Sequence, residues 1–357
     1  MRVLFDGFWW ARGPFSNRQV MREFIFAWER CFSGDEMIVA VPVSDEARAR
    51  RELPARVSVV ATRMRPQGLS AIVELPTVAR RRSPDWTITH NFTPLRGPSA
   101  VFIHDLMFET NPEWFTRRER AYFALMPATL GRARHVFTST RTEAARIDAT
   151  GRAKRPAHAV GLALHADLVG GDAAEVRGLA DVDRFVLVVG RLNVRKNLEN
   201  TLLGALASGA VSASRPVLVV GEASGKMTEL PPEIRAAIDA RSVRFTGFIS
   251  NAQLAWLYST AHLFAFLSLD EGFGLPNLEA IHFGAPVLAS DIPVFREILG
   301  AYATYVDPRD QSAIAAEIGA ALNSEKRLPA VGADTTWFSW DESVRRMRAV
   351  LARDTSA

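Results

Sequence analysis

The sequence predicts an α/β protein made of two doubly wound parallel sheets, and three observations carry that reading. Short apolar, β-branched runs recur along the 357 residues, each followed by a stretch with helical periodicity, which is the alternation that builds parallel sheets covered by helices on both faces. At about 150 residues per domain, the length suits two domains. Between Ala163 and Asp183 lies a segment with a Gly-Gly pair, several acids and little periodicity, which reads as the linker between the halves.

Taken in order, the predicted strands of the first half are Arg2–Phe5, Met37–Val43, Val57–Ala61, Trp86–His90, Ala100–Ile103, His135–Thr138 and Ala157–Leu162. Each is a short apolar run bounded by charges or turn residues. After the His135 strand, Thr140-Arg141-Thr142-Glu143 opens a helix as a capping box, in which the Thr and Glu side chains satisfy orphan backbone N–H groups. In the second half the predicted strands are Phe185–Val189, Pro216–Val220, Val243–Thr246, Leu263–Leu267, Pro286–Ala289 and Thr304–Val306. Pro276 fits the first position of a helix over the following NLEAIHF, because its missing N–H is no loss there. The expected division is 1–168, 169–340 and a final helical segment, 341–357.

Composition narrows the class. With 48% hydrophobic and 23% charged residues the chain is neither disordered nor of low complexity. Its single cysteine, Cys31, excludes a disulfide framework and any multi-cysteine metal site, which points to a reducing cytoplasm. The N-terminal MRVLFDGFWWARG is broken by Asp6 and is not read as an export signal, and no apolar run is long enough to span a bilayer. The net charge of +4 is unevenly spread: residues 1–168 hold eight more bases than acids, and the remainder four more acids than bases.

Two segments carry the chemistry. In LFAFLSLDEGFGLPNLEAIHFGAPVLASD, Leu263 to Asp291, a buried strand runs into Glu271, a Gly-Phe-Gly turn follows, and a helix begins that bears Glu279. A turn followed by one helical turn can aim both carboxylates at one space, where the N–H groups of Phe273, Gly274 and Leu275 also face. Carboxylates suit vicinal hydroxyls and backbone donors suit phosphate oxygens. Alone, Glu271 is equally a solvated loop acid and Glu279 a partner of the helix dipole. In FVLVVGRLNVRKNLENTLLGAL, Phe185 to Leu206, Arg191 and Lys196 stand between a strand and a helix starting near Asn197. Two cations and a helix N-terminus can balance a diphosphate without a divalent metal, although strand-end cations are also ordinary solvated charges.

Together with the loop VVGEASGK, these residues make the second half resemble the family 4 retaining glycosyltransferases of the GT-B fold, in which two Rossmann-like domains face a cleft. Their strand-R-x-x-x-x-K-N-helix motif stands here as Arg191, Lys196 and Asn197, and their E-G-F-G-L-P-x-x-E-A as Glu271 to Ala280. The resemblance continues through GAPVLASD, Val306 to Pro308 and FSWDES at Phe338 to Ser343, about 160 residues in the same order. It implies that Arg191 and Lys196 bind the donor diphosphate, with Gly190 beside them. It further implies that Glu279 binds ribose hydroxyls and Glu271 the donor sugar, helped by the Phe273, Gly274 and Leu275 amides. In the first half, AVFIHDLMFETNPEWF resembles the family's strand followed by H-D-L, with His104 reaching the donor sugar. Gly13 would occupy the family's loop after the first strand, although GFWWARGPF places three aromatics before it.

The function this implies is metal-independent, retaining transfer of a sugar from a nucleotide-diphosphate sugar, with GDP-mannose as first choice. The acceptor would be a saccharide or lipid-linked saccharide of bacterial polysaccharide synthesis, used in the cytoplasm or at the inner face of the membrane. The alternatives are a sugar-nucleotide 2-epimerase of the same fold and a catalytically silent nucleotide-sugar-binding protein. Gly221 to Lys226 fails the P-loop spacing, Asp181-Val182-Asp183 precedes a strand where a metal-binding D-x-D follows one, and the seven histidines show no zinc-site spacing. Arg80, Arg81 and Arg82 form a basic run that is either a solvated face or a patch for anionic lipid. No interleaved aromatics or recognition motif point to nucleic acid. The final helix, Asp341 to Arg353, is expected to return to the first domain, as in similar enzymes.

Overall fold

A computed structural model describes residues 1–190, 194–221, 230–326 and 338–355. Arg191 and most of the Gly221 to Lys226 loop lie outside the described residues. The chain divides into two units, Met1–Ala163 with Thr336–Ala357, and Leu164–Thr335.

The first unit holds strands β1 (Arg2–Asp6), β2 (Glu36–Pro42), β3 (Ser58–Thr62), β4 (Trp86–His90), β5 (Ser99–Ile103), β6 (His135–Thr138) and β7 (His158–Ala159). They form one parallel sheet in the order β3-β2-β1-β4-β5-β6-β7. Strands covered by helices on both faces must be apolar throughout, and Val3, Leu4, Phe5, Val101, Phe102 and Ile103 are at most 1% exposed. The Thr140 hydroxyl accepts the Glu143 N–H at 3.0 Å. Glu143 in turn accepts the Leu106 N–H at 3.2 Å, so the cap also holds the chain beyond β5.

The second unit holds β8 (Val186–Val189), β9 (Val217–Val220), β10 (Val243–Gly247), β11 (Leu263–Phe266), β12 (Val287–Ser290) and β13 (Ala303–Val306). Its parallel sheet runs β10-β9-β8-β11-β12-β13. The helices Leu198–Ala207 and Gln311–Asn323 pack on it through Leu202, Ile314 and Ile318, all fully buried. In such sheets the strand order reverses at one place, and the loops at the carboxyl ends of the two strands flanking it open a crevice for ligands. Here those strands are β1 and β4 in the first unit, and β8 and β11 in the second.

The helix Trp340–Thr355 belongs to the first unit. Val344, Met347 and Leu351 are fully buried, and the Trp340 ring meets Phe24 edge-on at 5.5 Å. Arg348 donates twice to Asp35, at 2.7 and 2.8 Å, and Asp341 pairs with Arg30. The linker division falls at Ala163/Leu164, whereas the sequence placed it at 168/169. The helix Ala166–Val169 accounts for the difference, since it packs against Asn251–Thr260 of the second unit.

Candidate active site

β8 ends at Val189, Gly190 follows at φ +146°, and a 3-10 turn occupies Val194–Lys196. A Cβ on Gly190 would lie 3.3 Å from Lys196 Cε, so the missing side chain is the space across which Lys196 lies. The helix expected near Asn197 begins at Leu198, because Asn197 takes the left-handed conformation at φ +55°. Its carboxamide donates to the Pro308 carbonyl at 2.6 Å and accepts from Asn200 at 2.9 Å, which fixes that turn.

The loop after β11 is laced to this turn. The Leu269 N–H donates to the Arg195 carbonyl at 2.9 Å, and the Arg195 guanidinium donates to the Asp270 carbonyl at 3.3 Å. Glu271 is only 6% exposed and accepts from Lys196 Nζ at 2.6 Å and from the Arg195 guanidinium. Lys196 Nζ also sits 4.4 Å from the centre of the Phe266 ring. Burial alone would raise the Glu271 carboxyl, but the Arg195 and Lys196 cations outweigh it and hold it down at about 2.

The Gly272-Phe273-Gly274 turn leads into the helix Leu275–His282, one residue earlier than Pro276 suggested. Gly274 has φ +91°, and a Cβ there would come within 2.8 Å of the Phe295 ring. The Phe273 side chain is buried, so what it can offer a ligand is its backbone. Glu279 projects from this helix and accepts the Tyr258 hydroxyl at 2.8 Å. Burial raises its carboxyl to about 7, against the opposing effects of the Tyr258 hydrogen bond and the Lys196 charge. The two acids of the motif are therefore held in opposite protonation regimes, with Lys196 acting on both.

In the first unit, a second polar cluster stands at the carboxyl ends of β1, β4 and β5. The Gln67 amide donates to Asp6 at 3.2 Å and to the His90 carbonyl at 3.1 Å, and its oxygen accepts the Trp9 indole N–H at 2.9 Å. Burial raises Asp6 to about 6. His104 follows β5 with its ring centre 6.0 Å from His90, and burial lowers it to about 4, so it is a neutral imidazole at pH 7. Its Nε2 is buried and makes no hydrogen bond among the described residues. Gly13 lies at φ +115° against Trp9, where a Cβ would fall 2.0 Å from the indole. Among the described residues no group of three His, Cys, Asp or Glu side chains could share a metal ion.

Residues 172–333 match the family described as glycosyl transferases group 1. The matched stretch spans most of the second unit, Leu164–Thr335. The chain is also similar to O-antigen chain mannosyltransferase RfbU of Salmonella typhimurium, 27% identical over 224 residues, 62% of this chain and 60% of that protein. O-antigen chain mannosyltransferase B of Escherichia coli is 29% identical over 162 residues, 44% of this chain and 42% of that protein. The matched segment thus spans less than two thirds of the length of either relative. Anabaena HepE, solved in complex with UDP and glucose, superposes with a TM-score of 0.67 at 16% identity over 99% of this chain and 100% of its own. The fold is accordingly that of the GT-B glycosyltransferases, with one Rossmann-like sheet in each unit.

Within the second unit the structure brings Gly190, Lys196, Glu271, Phe273, Gly274, Leu275 and Glu279 to the carboxyl ends of β8 and β11. His104 and Gly13 belong to the other unit. Two participants escaped the sequence reading. Arg195, the immediate neighbour of Lys196, is the second cation on Glu271, and its signal is the Arg-Lys doublet beside the motif lysine. Tyr258 fixes Glu279 from the helix Asn251–Thr260, and its spacing of 21 residues from Glu279 carries no local signal.

Proposed function

We propose that this protein is a metal-independent, retaining glycosyltransferase that takes its sugar from a nucleotide-diphosphate donor, GDP-mannose first, and passes it to a saccharide or lipid-linked saccharide. The observation that carries the reading is the Lys196–Glu271 pair, at 2.6 Å, in the loops that follow the two strands where the second sheet reverses its order. An ammonium carries three N–H donors, so Lys196 can hold Glu271 and a phosphoryl oxygen together. Glu271, ionised at any ordinary pH, accepts hydrogen bonds from sugar hydroxyls, while Glu279 accepts them from the ribose. Mannosyl transfer is supported by the names of the two relatives, and a nucleotide diphosphate by the UDP named with HepE.

In the reaction, the acceptor oxygen forms its bond to the anomeric carbon on the face from which the diphosphate departs. The carbon–oxygen bond to the diphosphate breaks, and the acceptor proton passes to a phosphate oxygen. Lys196, Arg191 and the amides at the start of Leu275–His282 stabilise the charge that develops there, a contribution of several kcal/mol. Glu271 orients the sugar and is not assigned as a base.

The test is a thermal-shift screen against GDP-mannose, UDP-glucose and the free nucleotides, followed by NMR of the product of the best donor with an oligosaccharide acceptor. A ligand at about 100 times its dissociation constant stabilises by about 2.7 kcal/mol. Transfer with retained configuration in excess chelator is expected. Conversion of the donor without any acceptor would assign an epimerase instead, and the absence of any stabilising nucleotide would overturn the reading.

A further inference from the structure

Large apolar side chains are exposed at few places in the first unit, and four of them gather on and beside one element. Residues 67–82 run as an unbroken helical rod, Gln67–Leu69, the π turn Ser70–Glu74 and Leu75–Arg82. Leu69 and Val73 lie on one face of it, 45% and 42% exposed, four residues apart. The Glu74 carboxylate accepts the N–H groups of Arg63 and Met64, both at 2.8 Å, and so pins the 43%-exposed Met64 alongside. Leu95, 41% exposed, is held next to Val73 by its N–H donating to the Ile72 carbonyl at 3.1 Å.

The rod ends in Arg80, Arg81 and Arg82; Arg63 flanks it, Arg96 follows Leu95, and Arg132 donates to the Leu95 carbonyl. None of these six makes an ion pair among the described residues, whereas elsewhere in the unit arginines are tied to acids, as in Arg22–Glu52, Arg50–Glu46 and Arg348–Asp35. Residues 63–132 contain ten arginines and six acids. Several of those acids are engaged elsewhere: Glu74 as above, Asp85 by the Arg2 N–H, Glu109 by Arg152 and Glu119 in the Thr116 cap. An apolar stripe rimmed by uncompensated guanidinium groups matches the chemistry of an anionic bilayer surface, which offers hydrocarbon beneath a layer of phosphate. It matches a second copy of the chain poorly, since the like-charged rims would meet.

We propose that this face docks on anionic membrane, with Leu69, Val73, Met64 and Leu95 entering the headgroup boundary and the surrounding arginines binding lipid phosphates. The inference goes beyond the donor site and is measured without turnover, so either reading can fail alone. The probe is co-sedimentation with vesicles of 30% phosphatidylglycerol in phosphatidylcholine, against pure phosphatidylcholine. Binding only to the anionic vesicles is expected, weakening as salt rises because exposed charges are screened. The triple variant R80S/R81S/R82S and the double variant L69S/V73S should each lower partitioning at least about tenfold, while keeping the wild-type melting temperature and nucleotide response. Equal binding to both vesicle types, wild-type binding by both variants, or self-association abolished by L69S/V73S without any vesicle binding would each overturn it.

Discussion

Lys196 Nζ lies 2.6 Å from Glu271 Oε1, joining the turn after β8 to the loop after β11. The pair is built by backbone as much as by charge. Gly190 leaves room for the lysine stem, and the Leu269 N–H to Arg195 carbonyl bond sets the distance between the loops. In the proposed reaction a cation held this way needs no rearrangement to meet the leaving diphosphate, which is what electrostatic preorganisation requires.

Lys196→Ala should therefore cost more than affinity. In the proposed reaction the ammonium stabilises transition-state charge, so kcat/KM is expected to fall at least about a hundredfold, with a smaller loss in nucleotide affinity measured by calorimetry. Equal activity in variant and wild type would remove Lys196 from the reaction.

With Glu279 on the ribose as proposed, nucleotide affinity acquires a pH dependence. Its carboxyl titrates near 7, so a ribose-accepting carboxylate forms as pH rises through 7, and affinity for the nucleoside diphosphate should strengthen across that range. Glu279→Gln should bind with a flat profile. Tyr258→Phe removes a hydrogen bond that favours the ionised form, and its midpoint should move to higher pH.

Glu271 makes the opposite contribution to stability. Its folded carboxyl is held at about 2 against an ordinary 4.5. The stabilisation is fully present above pH 4.5 and lost as pH falls through about 2. Glu271→Gln should be less stable than wild type by about 1–3 kcal/mol at pH 7, and the gap between their urea midpoints should close between pH 4.5 and 2.

Gly274→Ala tests the turn. At φ +91°, with a Cβ 2.8 Å from the Phe295 ring, alanine is strained in both backbone and packing. A loss of about 1–3 kcal/mol in chemical denaturation is expected. A neutral result would mean that the helix Leu275–His282 can begin differently.

Much of this architecture was legible because parallel strands buried on both faces must be continuous apolar runs. Each strand predicted from such a run is found, with ends moved by a few residues. The largest change is at Ala157–Leu162, which shortens to His158–Ala159. The carbonyls of Val160 and Gly161 instead accept from Arg346 and Ser343 of the last helix, contacts that no local pattern announces. In the site, Lys196, Glu271 and Glu279 were legible as a spacing. Arg195 was not singled out, because charge alone does not tell which of two adjacent cations turns toward an acid. Tyr258 was invisible for a different reason, since its hydroxyl meets Glu279 only after two helices have packed.

Because Trp340–Thr355 completes the first unit, the second unit is an insertion within it. During synthesis from the N-terminus the inserted unit is whole before the host can close, leaving the face of Phe24 that Trp340 later covers open until the helix Trp340–Thr355 is made. A nascent chain arrested with residue 335 clear of the ribosome but the last helix not yet emerged should display a finished second unit beside an unfinished first one. The excised segment 164–335 should express as a soluble fragment, whereas 1–163 should aggregate unless the last helix is supplied as a separate peptide.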